Sequence, residues 1–473
     1  MKQQVDYSRK WWVMAAVAMG VFLSTIDGSI VTVALPTLEE ELNASFALVQ
    51  WVIVIYLLVI CSLMLGVARL ADMIGKKRIY LAGMVIFTLA SVLCGAAPSI
   101  GFLIAFRALQ AIGAAMMQAL GTAIVTEAFP DEERGRALGL IGTVVSLGII
   151  LGPTLGGLLI GVVGWRAIFF VNLPVGALGL WLANKHVPGW RPVNNQRFDT
   201  IGAVLMALTL VALSLGLTFG PTTGWDRPEI WALLGGSVLV LGLFVTVQLR
   251  LPQPMIDPKL FTNVLFSISL LTGLLVFVAA SARVVLPYYL ELVKDRSPQQ
   301  VGLFLTIIPI ALGVSAPVSG TLSDRYGSRG IALIGLAVTG VACLFISTLS
   351  ADTSTVGYIV RLLPFGLGLG LFQSPNNSAI MGAAPRERLG VASGLLALSR
   401  NLGQVIGIPL LGAVFSSRVL AVSELADDLD VTDAPPFAIV EGVEAVYLAC
   451  AALSVISVTL AILAFRLDRQ QRY

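Results

Sequence analysis

Apolar residues fill this chain in runs long enough to cross a hydrocarbon layer of about 30 Å, and short polar segments separate the runs. In lipid such a run satisfies its backbone N–H and C=O groups only as a helix. The pattern predicts helices near residues 11–36, 46–68, 79–97, 100–128, 136–162, 165–186 and 201–220. Seven more follow near 230–250, 263–292, 298–322, 330–350, 355–383, 389–416 and 442–465. Fourteen is an even number, so both termini are expected on one side of the membrane. The charged start "MKQQVDYSRK" leads into a run too long for a signal-peptide core, without a convincing cleavage site, and reads as the first span.

Charge orients the spans. With the N-terminus in the cytoplasm, the inner segments carry 21 of the 30 Lys and Arg and the outer segments carry 5: Arg166, Arg227, Lys294, Arg296 and Arg418. By the positive-inside rule both termini are cytoplasmic and the protein is a multi-pass protein of the cytoplasmic (plasma) membrane. The composition agrees: 57% hydrophobic, 12% charged, with mean hydropathy +0.90, more apolar than a soluble core of this length requires. Net charge is only +3 and the basic residues are scattered among short loops, which argues against nucleic acid as a partner. Cys61, Cys94, Cys343 and Cys450 fall in apolar runs without paired spacing, and a lone histidine, His186, stands at a span end, so no disulfide framework, metal site or cofactor is expected.

The chain repeats itself. "ARLADMIGKKR" (68–78) aligns with "GTLSDRYGSRG" (320–330), placing Asp72 over Asp324 and Gly75 over Gly327. Arg134 and Arg136 match Arg386 and Arg388 at the same offset, and Arg107 falls close to Arg361. Six spans therefore recur. The expected organisation is an N-terminal six-helix bundle at 1–186, a linker with two inserted membrane helices at 187–262, and a C-terminal six-helix bundle at 263–473.

These features resemble the major facilitator superfamily, and within it the fourteen-helix drug:proton antiporter group. The resemblance is carried by "IDGSIVTVALP" in span one, the two Asp-containing loops, "RALQAIGAA" in span four, "SLGIILGPTLGG" in span five and "WRAIFFVNLPVG" opening span six. Ala68, Met73 and Ala111 depart from the group's usual Gly, basic residue and Gly, so the second loop copy is the more complete. The resemblance implies an all-α membrane fold of two six-helix bundles plus two central helices. It also implies alternating access, an amphiphilic small-molecule substrate, protons as the coupling ion and a monomer in the lipid bilayer.

Each motif has a physical reading. Asp72 and Asp324 each precede a glycine, Gly75 or Gly327, and basic residues, a tight turn whose carboxylate can meet a neighbouring helix N-terminus or an arginine such as Arg134 or Arg386. Breaking such contacts would open the inner face; the plainer alternative is a loop that only orients the chain. Gly148, Gly152, Pro153, Gly156 and Gly157 on span five allow close helix contact and a bend. In the resembled group this is the antiporter signature, though packing glycines alone account for the same letters.

Asp27 is the costly residue, an acid in the middle of span one. Span four offers it a partner, since Arg107, Gln110 and Gln118 share one arc, while Ser24 lies on the Asp27 side of span one. Asp27 and Arg107 read either as a buried structural pair or as a carboxylate that takes up a proton on one side and releases it on the other, with the Arg107 charge favouring release. Glu127 points away from that arc and reads as structural. In the C-terminal half Arg283, Arg361 and Arg400 have no intramembrane acid nearby in sequence, and Gln373, Asn376 and Asn377 add neutral polar groups. Substrate-cavity candidates are therefore Ser24, Gln110, Gln118, Arg283, Gln373, Asn376 and Arg400.

The expected activity is proton-driven export of amphiphilic or toxic small molecules such as drugs. The rival within transport is an exporter or flippase of an endogenous lipid-like or anionic metabolite. No G-x-x-x-x-G-K-[ST] loop suggests ATP use, and no nucleophile or acid–base pair at suitable spacing suggests an enzyme.

Overall fold

The structure is a computed structural model that describes residues 9–130, 133–189, 199–252, 254, 256, 258–384, 389–423 and 431–472, apart from the side chains of 72, 135, 259, 389, 390, 432 and 470–472. Among these residues fourteen helices are long and apolar enough to cross a membrane. They are α1 Lys10–Leu42, α2 Phe46–Ala71, α3 Lys76–Gly95, α4 Ile100–Ala128, α5 Arg136–Val163, α6 Ala167–His186 and α7 Thr200–Thr223. Then come α8 Pro228–Arg250, α9 Val264–Val293, α10 Pro298–Tyr326, α11 Ser328–Ile346, α12 Thr355–Ala383, α13 Val391–Ser423 and α14 Pro436–Arg469. The fold is all-α.

Prolines divide three of the spans. A proline interior to a helix removes the bond to the carbonyl four residues earlier and its ring crowds that carbonyl. In α6 the helix stops at Phe170 and resumes at Asn172, four residues ahead of Pro174. In α10 it breaks between Leu305 and Ile307, four ahead of Pro309. In α9 it passes through a 3-10 turn at Ser281–Val285 and a π turn at Tyr289–Val293 around Pro287. Pro36, where the apolar run of span one ends, instead stays inside a continuous helix that extends to Leu42.

Two compact units result. One comprises the described residues of 1–44, 51–207 and 251–255, the other those of 45–50, 208–250 and 256–473. In the first, α1 packs on α4, α5 and α6, and α3 packs on α4 and α6. In the second, α9 packs on α13 and α14, while α12 packs on α10 and α11. Also in the second unit, α7 meets α8 where Gly216 sits against Leu234. Helix α8 presents apolar side chains outward, with Val238 68% and Leu239 75% exposed, as expected of a helix in contact with lipid.

The internal repeat is visible in the backbone. Gly75 (φ 112°) and Gly327 (φ 89°) each lie in the region disfavoured for side chains and each immediately precedes a helix, α3 or α11. The chain turns there within one residue, at equivalent places in the two halves.

Candidate functional site

Polar groups concentrate in the first unit where α1, α4 and α6 meet. Asp27 and Arg107 are both fully buried. Arg107 Nη1 pairs with Asp27 Oδ2. The other carboxylate oxygen, Oδ1, accepts from Gln110 Nε2 at 2.9 Å and from Asn172 Nδ2 at 3.0 Å. Asn172 also donates to Ser91 Oγ at 3.0 Å, and Ser91 donates to the Phe169 carbonyl at 2.8 Å. Arg107 Nη1 donates further to Gln110 Oε1 at 2.7 Å, and its Nε donates to the Val52 carbonyl at 3.0 Å. Its guanidinium lies 4.1 Å from the Tyr56 ring centroid, a cation–π contact.

Local structure explains why these side chains converge. Arg107 and Gln110 are three apart on α4 and so share a face. Asn172 is the first residue after the proline-induced interruption of α6. Helix α1 is held close to α5 because Gly148 and Gly152 lie against Thr25 and Ser29 and Gly156 against Ile30, where Cβ atoms would collide. Ser29 Oγ donates to the Gly148 carbonyl at 3.0 Å across this seam. Gly157 is buried on the same helix, and Pro153 lies within it. One side of α1 is thus a close backbone contact and another carries the carboxylate. Ser24 sits one turn before Asp27; its hydroxyl donates to the Val21 carbonyl and its own carbonyl accepts from Tyr56 Oη at 3.2 Å. Gln118, half-buried, stands farther along α4.

Asn172, Ser91 and Tyr56 are members of the cluster that the sequence reading did not single out. Asn172 lay inside a quoted motif, "WRAIFFVNLPVG", as its one amide, and a polar side chain at a helix interruption in lipid was the available signal.

The other candidates lie elsewhere. In the second unit Arg283 Nη2 donates to Gln404 Oε1 at 3.3 Å, and the Arg400 guanidinium lies 5.4 Å from the Phe277 ring centroid. Asn376 is buried and Gln373 half-buried on α12. Arg361 donates to Thr348 Oγ1 at 2.9 Å and to the Gly357 carbonyl at 3.1 Å, close to the start of α12. Of the turn residues, Arg134 Nε donates to the Thr126 carbonyl at 2.7 Å in the last turns of α4, and Asp324 is exposed. The Asp72 side chain and Arg386 lie outside the described residues. Glu127 pairs with Lys76.

A buried acid–base pair with polar partners on both carboxylate oxygens, set among fourteen apolar helices in which a six-span unit occurs twice, is the plan of a membrane carrier. The family model described as Major Facilitator Superfamily matches residues 17–408 and 265–473. The chain belongs to the major facilitator superfamily. It is a multi-pass membrane transporter and not an enzyme. It is 34% identical over 418 residues to the riboflavin transporter RibZ of Clostridioides difficile, covering 87% of this chain and 89% of that protein. It is also 34% identical over 413 residues to the multidrug resistance protein Stp of Mycobacterium tuberculosis, covering 87% and 77%. A bacterial homologue of the human lysosomal transporter Spinster, solved inward-facing and unoccupied, superposes with a TM-score of 0.66 at 17% identity, covering 98% of each chain; that likeness concerns the fold.

Proposed function

We propose that this transporter exports amphiphilic small molecules, drugs among them, across the cytoplasmic membrane in exchange for protons. Both termini lie in the cytoplasm, and the two six-helix bundles of 1–186 and 263–473 give a monomer alternating access to the two faces of the membrane. The helices of 187–262 are an insertion. The observation that carries this reading is the Asp27 shell. All three side chains that contact the carboxylate, from Arg107, Gln110 and Asn172, do so as donors. An ionised carboxylate accepts all three; a protonated one must place its own O–H among them. Proton uptake at Asp27 therefore adds an O–H that faces only donors and removes the charge attraction to Arg107, which weakens the contacts among α1, α4 and α6 and couples a conformational change to a chemical one. The resistance role of the Mycobacterium tuberculosis relative supports export. The glycine seam of α1 and α5, with Gly148, Gly152, Pro153, Gly156 and Gly157, supplies the stiff contact against which α1 can move, and the turns at Asp72, Gly75, Asp324 and Gly327, with Arg134 and Arg386, act as inner gates.

Gradient-driven transport in proteoliposomes tests this. Asp27→Asn keeps the side-chain shape and removes titration, so the variant is expected to bind substrate while a pH gradient no longer concentrates it. A folded Asp27→Asn protein that concentrates substrate with unchanged pH dependence would overturn the assignment. A second reading, export of an endogenous anionic or lipid-like metabolite, is favoured by Arg283 and Arg400, which have no carboxylate partner among the described residues; the RibZ likeness supports a metabolite as cargo but not its charge.

A further inference from the structure

The two units treat the arginines within their spans differently: Arg107 is fully buried, whereas Arg283 and Arg400 are partly accessible. Arg107 has a carboxylate, a glutamine and a backbone carbonyl around it. Among the described residues Arg283 and Arg400 have no carboxylate partner, and Arg283 donates to the neutral Gln404. Arg400 Nε is buried without a hydrogen-bond partner, and its guanidinium rests on Phe277. In this unit the span-borne carboxylates Glu229, Glu291, Asp324, Glu441, Glu444 and Asp468 fall within the first or last three turns of their helices. Arg400 lies about 14 Å along its helix from Val391, and Arg283 lies about 15 Å from Val293, so neither escapes to an interface by extending.

Their placement is specified by packing. Positions 400, 403, 404 and 407 recur at the spacing of one helical face. Gly403 and Gly407 on that face press against the backbone and side chains of Leu274, Phe277 and Val278 on α9, which fixes α9 and α13 in contact. Arg400 and Gln404 flank this seam, and Arg283 reaches Gln404 from the 3-10 interruption of α9. Both arginines remain partly accessible, so the seam positions them without closing them off. A cation in lipid is stable when paired, and here the described residues supply two guanidiniums, an amide and an aromatic face but no anion.

We propose that Arg283, Arg400 and Gln404 form an anion subsite that takes the carboxylate, phosphate or sulfonate of an amphiphile, with its apolar body beside Phe277. This rests on the reading of the chain as a transporter of amphiphiles and names a charge class for them. Each of these groups presents two oxygens that can accept a bidentate pair of bonds from the guanidinium fork.

Binding to purified protein in nanodiscs, with no gradient, tests the subsite separately from proton coupling. Two xanthene dyes share a ring system and differ in charge: fluorescein is anionic and rhodamine 6G is cationic. Fluorescence anisotropy is expected to show fluorescein bound more tightly. Arg283→Gln and Arg400→Gln should each weaken fluorescein about tenfold or more, the size of one lost charge-assisted hydrogen bond, with rhodamine 6G unchanged or tighter. Arg400→Lys should recover part of the loss. Repeating the titration in nanodiscs containing phosphatidylglycerol separates the sources of the anion, since displacement of fluorescein assigns the subsite to a lipid phosphate and no displacement assigns it to a free solute. Rhodamine 6G binding as tightly as fluorescein, no fluorescein binding, or equal weakening of both dyes in the variants would overturn the proposal. If fluorescein binds as predicted and a pH gradient drives no transport, the subsite stands and proton coupling fails.

Discussion

Asn172 links three helices through one amide. It donates to Asp27 Oδ1 and to Ser91 Oγ, both buried, so removing it leaves acceptors with no water to replace it. Asn172→Ala is expected to cost about 1–3 kcal/mol, the penalty of unsatisfied buried polar groups, read as a lower melting temperature in detergent. Asp27 retains Gln110 and Arg107 in that variant, so substrate binding should persist. An unchanged melting temperature would show that the amide contributes nothing net. The pairing of Asp27 with Arg107 was readable from two polar residues in apolar runs, because an acid and a base in lipid have few alternatives to each other. Asn172 gave only an ambiguous signal, because a neutral amide near a span's start is also what a solvated end looks like.

Among the elements, the two glycine turns are the sharpest structural statement. Gly75 and Gly327 hold φ near 112° and 89°, where any Cβ is strained. Gly75→Ala and Gly327→Ala are each expected to destabilise by about 1–3 kcal/mol. Gly139→Ala, at a helical position where an added Cβ would meet nothing within 4 Å, should be neutral or stabilising by up to about 1 kcal/mol. Thermal unfolding of the three variants side by side checks the ordering. The breaks in α6, α9 and α10 belong to this scale too. Each sits four residues before a proline or around one, yet Pro36, Pro153 and Pro375 lie within continuous helices. Proline marks where a helix can yield; packing by neighbouring helices selects where it does.

For the molecule as a whole, orientation follows from charge. All four native cysteines are buried, so single introduced cysteines report cleanly. Lys77→Cys and Ser328→Cys should resist a membrane-impermeant maleimide added outside intact cells, whereas Asp226→Cys should react. Labelling of Lys77→Cys from outside would reverse the topology.

Sequence alone determined the fourteen spans, the internal repeat and the candidate acid–base pair, because in a bilayer each follows from transfer free energy: apolar length makes a span, and a buried charge is rare enough to stand out. Tertiary structure decided which polar groups surround the pair, that Gly148, Gly152 and Gly156 face α1, and that Gln404 receives Arg283. Those facts depend on the rotation of each helix about its axis. Since hydrocarbon solvates every apolar face equally, rotation is set by contacts between small residues and by hydrogen bonds across helices, which no linear pattern of hydrophobicity encodes.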